Sequence, residues 1–74
     1  MQELLLTIAK GLVENPDEVT VTVDEENKSV YHLHVADSDM GRVIGKQGRI
    51  AKAIRVVMRA AATRSNEKVS VEID

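Results

Sequence analysis

Two glycines near the middle of the chain, Gly45 and Gly48, enclose a basic and a polar residue. The apolar pair Val43 and Ile44 precedes them, and a pattern typical of an amphipathic helix follows. This spacing predicts a tight loop between two helices. Glycine permits the left-handed dihedrals of such a turn and lets the backbone approach a ligand without a Cβ. Because the next helix directs free N–H groups and its positive dipole end at the loop, the segment is suited to bind an anion.

Charge is distributed unevenly around this loop. Ten Lys and Arg against twelve Asp and Glu give a formal net charge of −2. The stretch from Met40 to Asn66 nevertheless has no acidic residue and seven basic ones, which are Arg42, Lys46, Arg49, Lys52, Arg55, Arg59 and Arg64. A local positive face attracts a polyanion even on an acidic protein. The loop and its surroundings together indicate that the anion is a nucleic-acid backbone.

Length and composition predict one domain. The chain of 74 residues is near the lower limit for folding without a stabilising crosslink. It contains no cysteine, so it forms no disulfide and offers no thiolate to a metal. Its longest fully apolar run, Leu4-Leu5-Leu6, is too short to span a membrane, and its N-terminus does not resemble a signal peptide. We therefore expect a cytoplasmic protein that does not contact a membrane.

Three segments have the pattern of helices. Residues 2–14 place Leu4, Leu5, Ile8 and Leu12 on one face, and Asn15-Pro16 ends that helix. Asp37-Ser38-Asp39 supplies N-capping oxygens for a short helix over residues 39–44. A longer helix follows over residues 49–64, with a predicted core stripe of Ile50, Ala53, Ile54, Val57 and Ala61.

Three other segments alternate apolar and polar residues, which predicts strands half buried in a sheet. They cover residues 19–23, 30–36 and 68–73. A short polar turn makes the first two an antiparallel hairpin, and the two-helix crossover before the third favours parallel pairing. The expected fold is α+β, with the order α-β-β-α-α-β and a three-stranded mixed sheet covered by helices on one face.

This order, with a G-x-x-G loop between the second and third helices, resembles the type II KH domain found in bacteria. Residues 43–48 read Val-Ile-Gly-Lys-Gln-Gly and match the first part of the KH signature V-I-G-x-x-G. The longer run over residues 39–55 is similar to small bacterial single-KH proteins of the KhpA type. The resemblance covers residues 1–74 as a single KH domain. Two positions depart from the pattern: Ala51 replaces a large aliphatic residue, and Ile50 stands where threonine is expected.

The resemblance implies binding of single-stranded RNA, with single-stranded DNA as an alternative ligand, and a role as a post-transcriptional regulator or RNA chaperone. In KH domains the loop clamps about four backbone nucleotides, and the bases lie in an apolar groove beside it. Lys46 and Gln47 are expected to project towards phosphate, and Ile44 and Ile50 to line the groove. The full predicted set is Arg42, Val43, Ile44, Gly45, Lys46, Gln47, Gly48, Arg49, Ile50 and Lys52.

Enzymatic and metal-binding alternatives have weaker motifs. Residues 41–46 have a Gly-x-x-x-Gly-Lys spacing, one residue short of a P-loop, and Gln47 stands where Ser or Thr must hold Mg²⁺. His32 and His34 share one sheet face without an evident third metal ligand. We therefore expect a protein that is not an enzyme and that needs no cofactor or metal.

A protein-interaction module is the main alternative function. Apolar residues flank the core stripe of the last helix, and a homodimer is predicted to bury Val56, Met58 and Ala62. The resemblance adds a second partner, a larger KH-containing bacterial protein that would form a heterodimer. The same three residues are equally suited to complete the core of one protomer, so the sequence leaves both interpretations open.

Overall fold

A computed structural model describes residues 1–73, apart from the side chain of Lys46. Its first half comprises a helix, a single 3₁₀ turn and two strands. Its second half comprises a long helical segment and a third strand. In chain order these elements are α1 (Gln2–Leu12), the 3₁₀ turn (Pro16–Glu18), β1 (Thr20–Val23), β2 (Val30–His34), α2 (Asp37–Arg64) and β3 (Ser70–Ile73).

The long segment α2 is interrupted by two residues in the left-handed region. Gln47 has a φ of 65° and Gly48 a φ of 68°. A right-handed helix needs φ near −60°, so these residues form a break between two helical arms. The N-terminal arm covers residues 37–46 and the C-terminal arm residues 49–64. The element order is thus α-β-β-α-α-β, and the predicted α+β fold class is confirmed.

The three strands form the predicted mixed sheet, with β2 in the centre. β1 pairs with β2 antiparallel and β3 pairs with β2 parallel. The hairpin turn between β1 and β2 is built around Asp24. One carboxylate oxygen accepts the N–H groups of Glu26 and Asn27 at 3.1 and 2.9 Å, and the other lies 2.9 Å from Nε2 of His32. His32, on the sheet face away from the helices, therefore contacts Asp24 and stabilises the turn.

The core lies between the helices and one face of the sheet. Its largest fully buried side chains come from both layers and include Leu5, Leu33, Val35, Val43, Ile54 and Met58. The predicted stripe on α1 was partly wrong, because Leu4 and Leu12 are exposed and Ala9 is fully buried beside Leu5. No helix within residues 1–73 has the length and hydrophobicity to cross a membrane.

The predicted stripe on the last helix was displaced by about one residue. The buried positions of the C-terminal arm are Ala51, Ile54, Met58 and Ala62, whereas Ala53 and Val57 are exposed. Met58 is 1% exposed and Ala62 3%, so they have almost no surface to offer a second protomer. The structure corrects their assignment to a dimer interface. Of the three predicted interface residues, Val56 is the one that faces outward.

A buried carboxylate connects the exit of α1 to the start of α2. Asp39 is 2% exposed and accepts the backbone N–H groups of Glu14 and Asn15, each at 3.0 Å. It also accepts the Asn15 side-chain amide at 3.1 Å. Asp37, Ser38 and Asp39 were predicted to supply N-capping oxygens for a helix over residues 39–44, but α2 begins at Asp37 and has no side-chain cap. The carboxylate of Asp39 lies inside the first turn, where it binds the end of the preceding segment instead.

Candidate nucleic-acid interface

The break between the arms of α2 presents backbone with few side chains around it. Gly48 occupies a conformation that costs a residue with a Cβ about 1–2 kcal/mol, which explains the glycine there. Gly45 lies three residues earlier in the N-terminal arm, and a Cβ built on it meets nothing within 4 Å. Open space next to Gly45 allows a ligand to approach the backbone closely. The two glycines therefore have different roles.

One cavity borders the break on the side of the sheet, and we call it the strand-side groove. Its volume is about 250 Å³, and it is lined by Ile44, Gly48, Ala51, Lys52, Arg55 and Ile73. Ile44 is 54% exposed although it is a large apolar residue. The groove thus combines apolar walls with two cations. Ala51, smaller than the residue expected at that position, leaves room between the arm and β3.

The free edge of β3 forms the far wall of this groove. The N–H of Ser70 donates to the Ser29 carbonyl at 2.8 Å, so Ser70 directs its backbone groups towards β2. Backbone groups alternate in direction along a parallel strand, so Val71 and Ile73 direct theirs to the open edge. Nε of Arg55 donates to the Val71 carbonyl at 3.3 Å. This bond connects the C-terminal arm to β3. The backbone N–H and C=O of Ile73, which also point to the open edge, lie beside the groove.

A second cavity lies between the two arms of α2, and we call it the inter-arm cleft. Its volume is about 600 Å³, and it is lined by Gly41, Arg42, Gly45, Arg49 and Ile50. It shares no lining residue with the strand-side groove. At its margin, Nη2 of Arg42 lies 2.7 Å from Oε1 of Glu14, two residues beyond the end of α1. Two cationic cavities therefore flank the break.

The structure divides the residues predicted to bind RNA between these two cavities. Ile44, Gly48 and Lys52 line the strand-side groove, whereas Arg42, Gly45, Arg49 and Ile50 line the inter-arm cleft. Ile50 was expected in the groove with Ile44, but it lines the inter-arm cleft together with Arg49. Gln47 is exposed at the break and lines neither cavity.

One member of the predicted set has no side chain at the surface. Val43 is fully buried in the core, so it supports the loop from below and its assignment as a contact residue is corrected. The side chain of Lys46 lies outside the described residues.

Sequence reasoning missed three residues of this region. Arg55 and Ile73 line the groove, and Glu14 pairs with Arg42 at the margin of the cleft. Arg55 could have been found, because it follows Lys52 by three residues on the same helix face. The sequence offers no comparable signal for Glu14, which is 28 positions away from Arg42.

Two carboxylates away from the break have shifted pKa values, and both hold backbone structure. The pKa of Asp39 is below its ordinary value, mainly because its carboxylate accepts the N–H of Glu14. The hydrogen bond from His32 likewise lowers the pKa of Asp24. Over the part of the chain that the structure describes, no three His, Cys, Asp or Glu side chains converge as metal ligands.

Comparison with known proteins places the chain in a family. A family profile described as the KH domain of KhpA and KhpB matches residues 2–73. The chain belongs to this family. The sequence-based resemblance to small KH proteins is thereby confirmed, and the KhpA/KhpB family is not a class of enzymes.

Its curated relatives match over nearly their whole length. The RNA-binding protein KhpA of Clostridium acetobutylicum is 60% identical over 74 residues, with 99% of each chain covered. The protein of the same name from Listeria monocytogenes is 50% identical, with 99% of this chain and 97% of the relative covered. A more distant KhpA, from Chlamydia trachomatis, is 47% identical over 99% of this chain and 95% of its own. No solved structure gives a significant match.

Proposed function

We propose that this KH domain binds single-stranded RNA at the break in α2. The observation that carries the proposal is the juxtaposition of exposed backbone at the break with an apolar groove that has cations at its margin. The names of its relatives support RNA as the ligand. Since the stretch from 40 to 66 contains no acidic residue, the field around the break favours a polyanion.

Each part of the groove has a chemical task in this proposal. Phosphates approach the backbone at Gly45 and Gly48, where no side chain intervenes. Bases enter the strand-side groove, where Ile44 and Ala51 provide apolar contact. Lys52 and Arg55 then neutralise neighbouring phosphates. The free backbone groups of Ile73 offer one donor and one acceptor to the edge of a base.

The proposed site binds nucleic acid through the backbone at the break and the apolar groove, so it needs no aromatic stacking platform. The chain has one Tyr and no Phe or Trp. The stacking surfaces typical of RRM domains and of single-strand-binding OB-folds therefore cannot be built. A backbone clamp with an apolar groove accepts single-stranded DNA as well as RNA. A direct competition experiment between the two measures their relative affinities. In the cell we assign the domain to post-transcriptional regulation or RNA chaperoning.

The test reverses the charge of the loop. Lys46→Asp together with Gln47→Asp is expected to abolish RNA binding in a gel shift, because two carboxylates would face phosphate. Asp tolerates left-handed dihedrals better than most residues, so the change at Gln47 is compatible with the fold. Asn27→Asp with Lys28→Asp is the matched control, since it makes the same charge change at the hairpin turn. A folded loop variant that binds as tightly as this control would remove the loop from the mechanism.

A second candidate function is self-association, or pairing with a larger KH-containing protein. It is favoured by a specific feature of the C-terminal arm, where Val56 is 61% exposed and Val57 44% exposed. Ala53 and Ala60 are exposed at helical spacing from them, and Leu4 of α1 lines a cavity together with Val57. No residue of this apolar strip lines either cationic cavity. RNA binding and association are therefore compatible in one molecule.

A further inference from the structure

The inter-arm cleft is not explained by a four-nucleotide clamp at the break. It is the largest of the cavities described above, at about 600 Å³, and lies within the range typical of ligand sites. Its lining includes Arg42 and Arg49 but no acidic residue. Two glycines, Gly41 and Gly45, leave its floor without side chains, and a Cβ on either one would meet nothing within 4 Å.

We propose that the inter-arm cleft is a second RNA subsite, which holds the phosphates of nucleotides that flank the segment clamped at the break. This inference rests on the proposed function, because it extends the path of the same strand. An Arg guanidinium matches phosphate geometry with two parallel N–H donors, and one Arg stands on each arm. Ile50 supplies an apolar wall against which a sugar or base can pack.

The position of the cleft allows one strand to occupy both cavities. Gly45 borders the cleft and Gly48 borders the groove. Three residues of chain span at most about 11 Å, so these two glycines, one from each cavity, lie within that distance of each other. A strand that crosses the exposed backbone between Gly45 and Gly48 leaves the groove and enters the cleft directly. The bases in the groove and the phosphates in the cleft then belong to consecutive nucleotides.

Glu14 sets the charge of the cleft before RNA enters. Its carboxylate lies 2.7 Å from Arg42 and is itself two-thirds exposed. An exposed ion pair of this kind contributes about 1 kcal/mol or less, so a phosphate can displace the carboxylate from the guanidinium. Glu14 therefore competes with RNA at the cleft, and it does not contact the groove.

The experiment compares short and long RNA. Randomised single strands of about four and about ten nucleotides bracket the clamped segment. Affinity for the long RNA is followed by fluorescence anisotropy, and affinity for the short one by chemical-shift titration, which follows weak binding. The variant is Arg42→Ala with Arg49→Ala. Lys52→Ala with Arg55→Ala tests the groove, and Lys10→Ala with Lys68→Ala removes equal charge from residues that line neither cavity.

The cleft variant is expected to lose affinity for the long RNA alone. Two fewer phosphate contacts make the slope of log K against log[salt] less steep by about 1.4, which corresponds to a loss of about 25-fold at 0.1 M salt. The groove variant loses affinity for both lengths, and the Lys10 and Lys68 control for neither. Glu14→Gln tightens binding of the long RNA and leaves the short RNA unchanged.

Three results overturn the second subsite. They are unchanged binding of the long RNA by the cleft variant, an equal loss for both lengths, and a Glu14→Gln protein that does not bind the long RNA more tightly. The failure of the proposed function looks different, because wild-type protein would then bind neither RNA.

Discussion

At the scale of single residues, the two loop glycines meet different requirements. Gly48 is needed for its backbone conformation, whereas Gly45 leaves space beside the backbone. Gly48 has a φ of 68°, whereas Gly45 has no positive φ and lies within the helical N-terminal arm. A shared sequence motif thus contains two distinct physical constraints. The sequence predicted that both glycines belong to a tight loop, but it did not indicate which of them adopts the left-handed conformation. It also did not predict the positive φ of Gln47, because such dihedrals are uncommon for residues other than glycine.

Alanine at these two positions is expected to give opposite effects on stability. Gly48→Ala places a Cβ in the left-handed region and should lower the free energy of unfolding by about 1–2 kcal/mol. Gly45→Ala removes a flexible residue from a helix with open space around it, and should raise that energy by about 0.5–1 kcal/mol. Urea denaturation measures both changes.

Measuring the RNA affinity of the Gly45→Ala protein tests whether phosphate approaches the backbone at Gly45. Gly45→Ala is expected to weaken RNA binding although it stabilises the fold, because the added methyl group stands between phosphate and backbone. A Gly45→Ala protein with higher stability and unchanged affinity would mean that the ligand does not approach the backbone there.

At the scale of elements, α2 shows where hydrophobic periodicity reaches its limit. The C-terminal arm carries apolar residues on most of its circumference, so several stripes fit a 3.6-residue period equally well. Sequence reasoning chose Val57 and Ala61, whereas the fold buries Met58 and Ala62. The strands were predicted more accurately, because their alternation with period two allows one buried face. Contact with the sheet, which the sequence does not encode locally, decides the helix register.

The joint between α1 and α2 depends on the carboxylate of Asp39 and gives a pH-dependent prediction. Asparagine there keeps one acceptor oxygen but brings an amide donor towards the donors of Asn15 and Glu14, so Asp39→Asn should destabilise the protein at neutral pH. The pKa of Asp39 in the folded protein lies below its ordinary value of 3.8. Its stabilisation is therefore present above that pH and is lost as the pH falls through the lowered pKa.

Urea denaturation at neutral and acidic pH measures this effect. The difference in unfolding free energy between wild type and Asp39→Asn should be largest at neutral pH and shrink below about pH 4. Asp37→Asn is the control, because Asp37 is an exposed residue in the same turn of α2. A difference that stays constant into acid would show that the charge of Asp39 does not matter.

At the scale of the whole molecule, the net charge is a poor guide to the ligand. The chain carries a formal charge of −2, yet four of its cations, Arg42, Arg49, Lys52 and Arg55, line the two cavities beside the break. If three or four of them contact phosphates on one protomer, log K should fall with log[salt] at a slope of roughly −2 to −3. Anisotropy titrations at several salt concentrations measure this slope. A slope near zero would mean that the basic face does not touch the RNA backbone, and a much steeper one that two protomers bind together.

The structure also changes the expected interface of a homodimer. A domain of this size buries a modest fraction of its surface and gains stability from association. The strip of Ala53, Val56, Val57 and Ala60 is now the apolar surface available for it, because Met58 belongs to the core. Val57→Asp is expected to dissociate a wild-type dimer and leave the protomer folded, since an unpaired charge in an interface is costly. Met58→Asp is expected to unfold the protomer.

Analytical ultracentrifugation with circular dichroism distinguishes these outcomes. Thr63→Asp is the control, as it adds the same charge to an exposed position of the C-terminal arm outside the strip. A wild-type protein that stays monomeric at high micromolar concentration would end the homodimer proposal and leave the strip without a self-partner. If the Val57→Asp protein remained as dimeric as the control, a second copy would have to bind elsewhere. Because no residue of the strip lines either cationic cavity, RNA binding by the folded Val57→Asp monomer should retain the single-protomer salt slope.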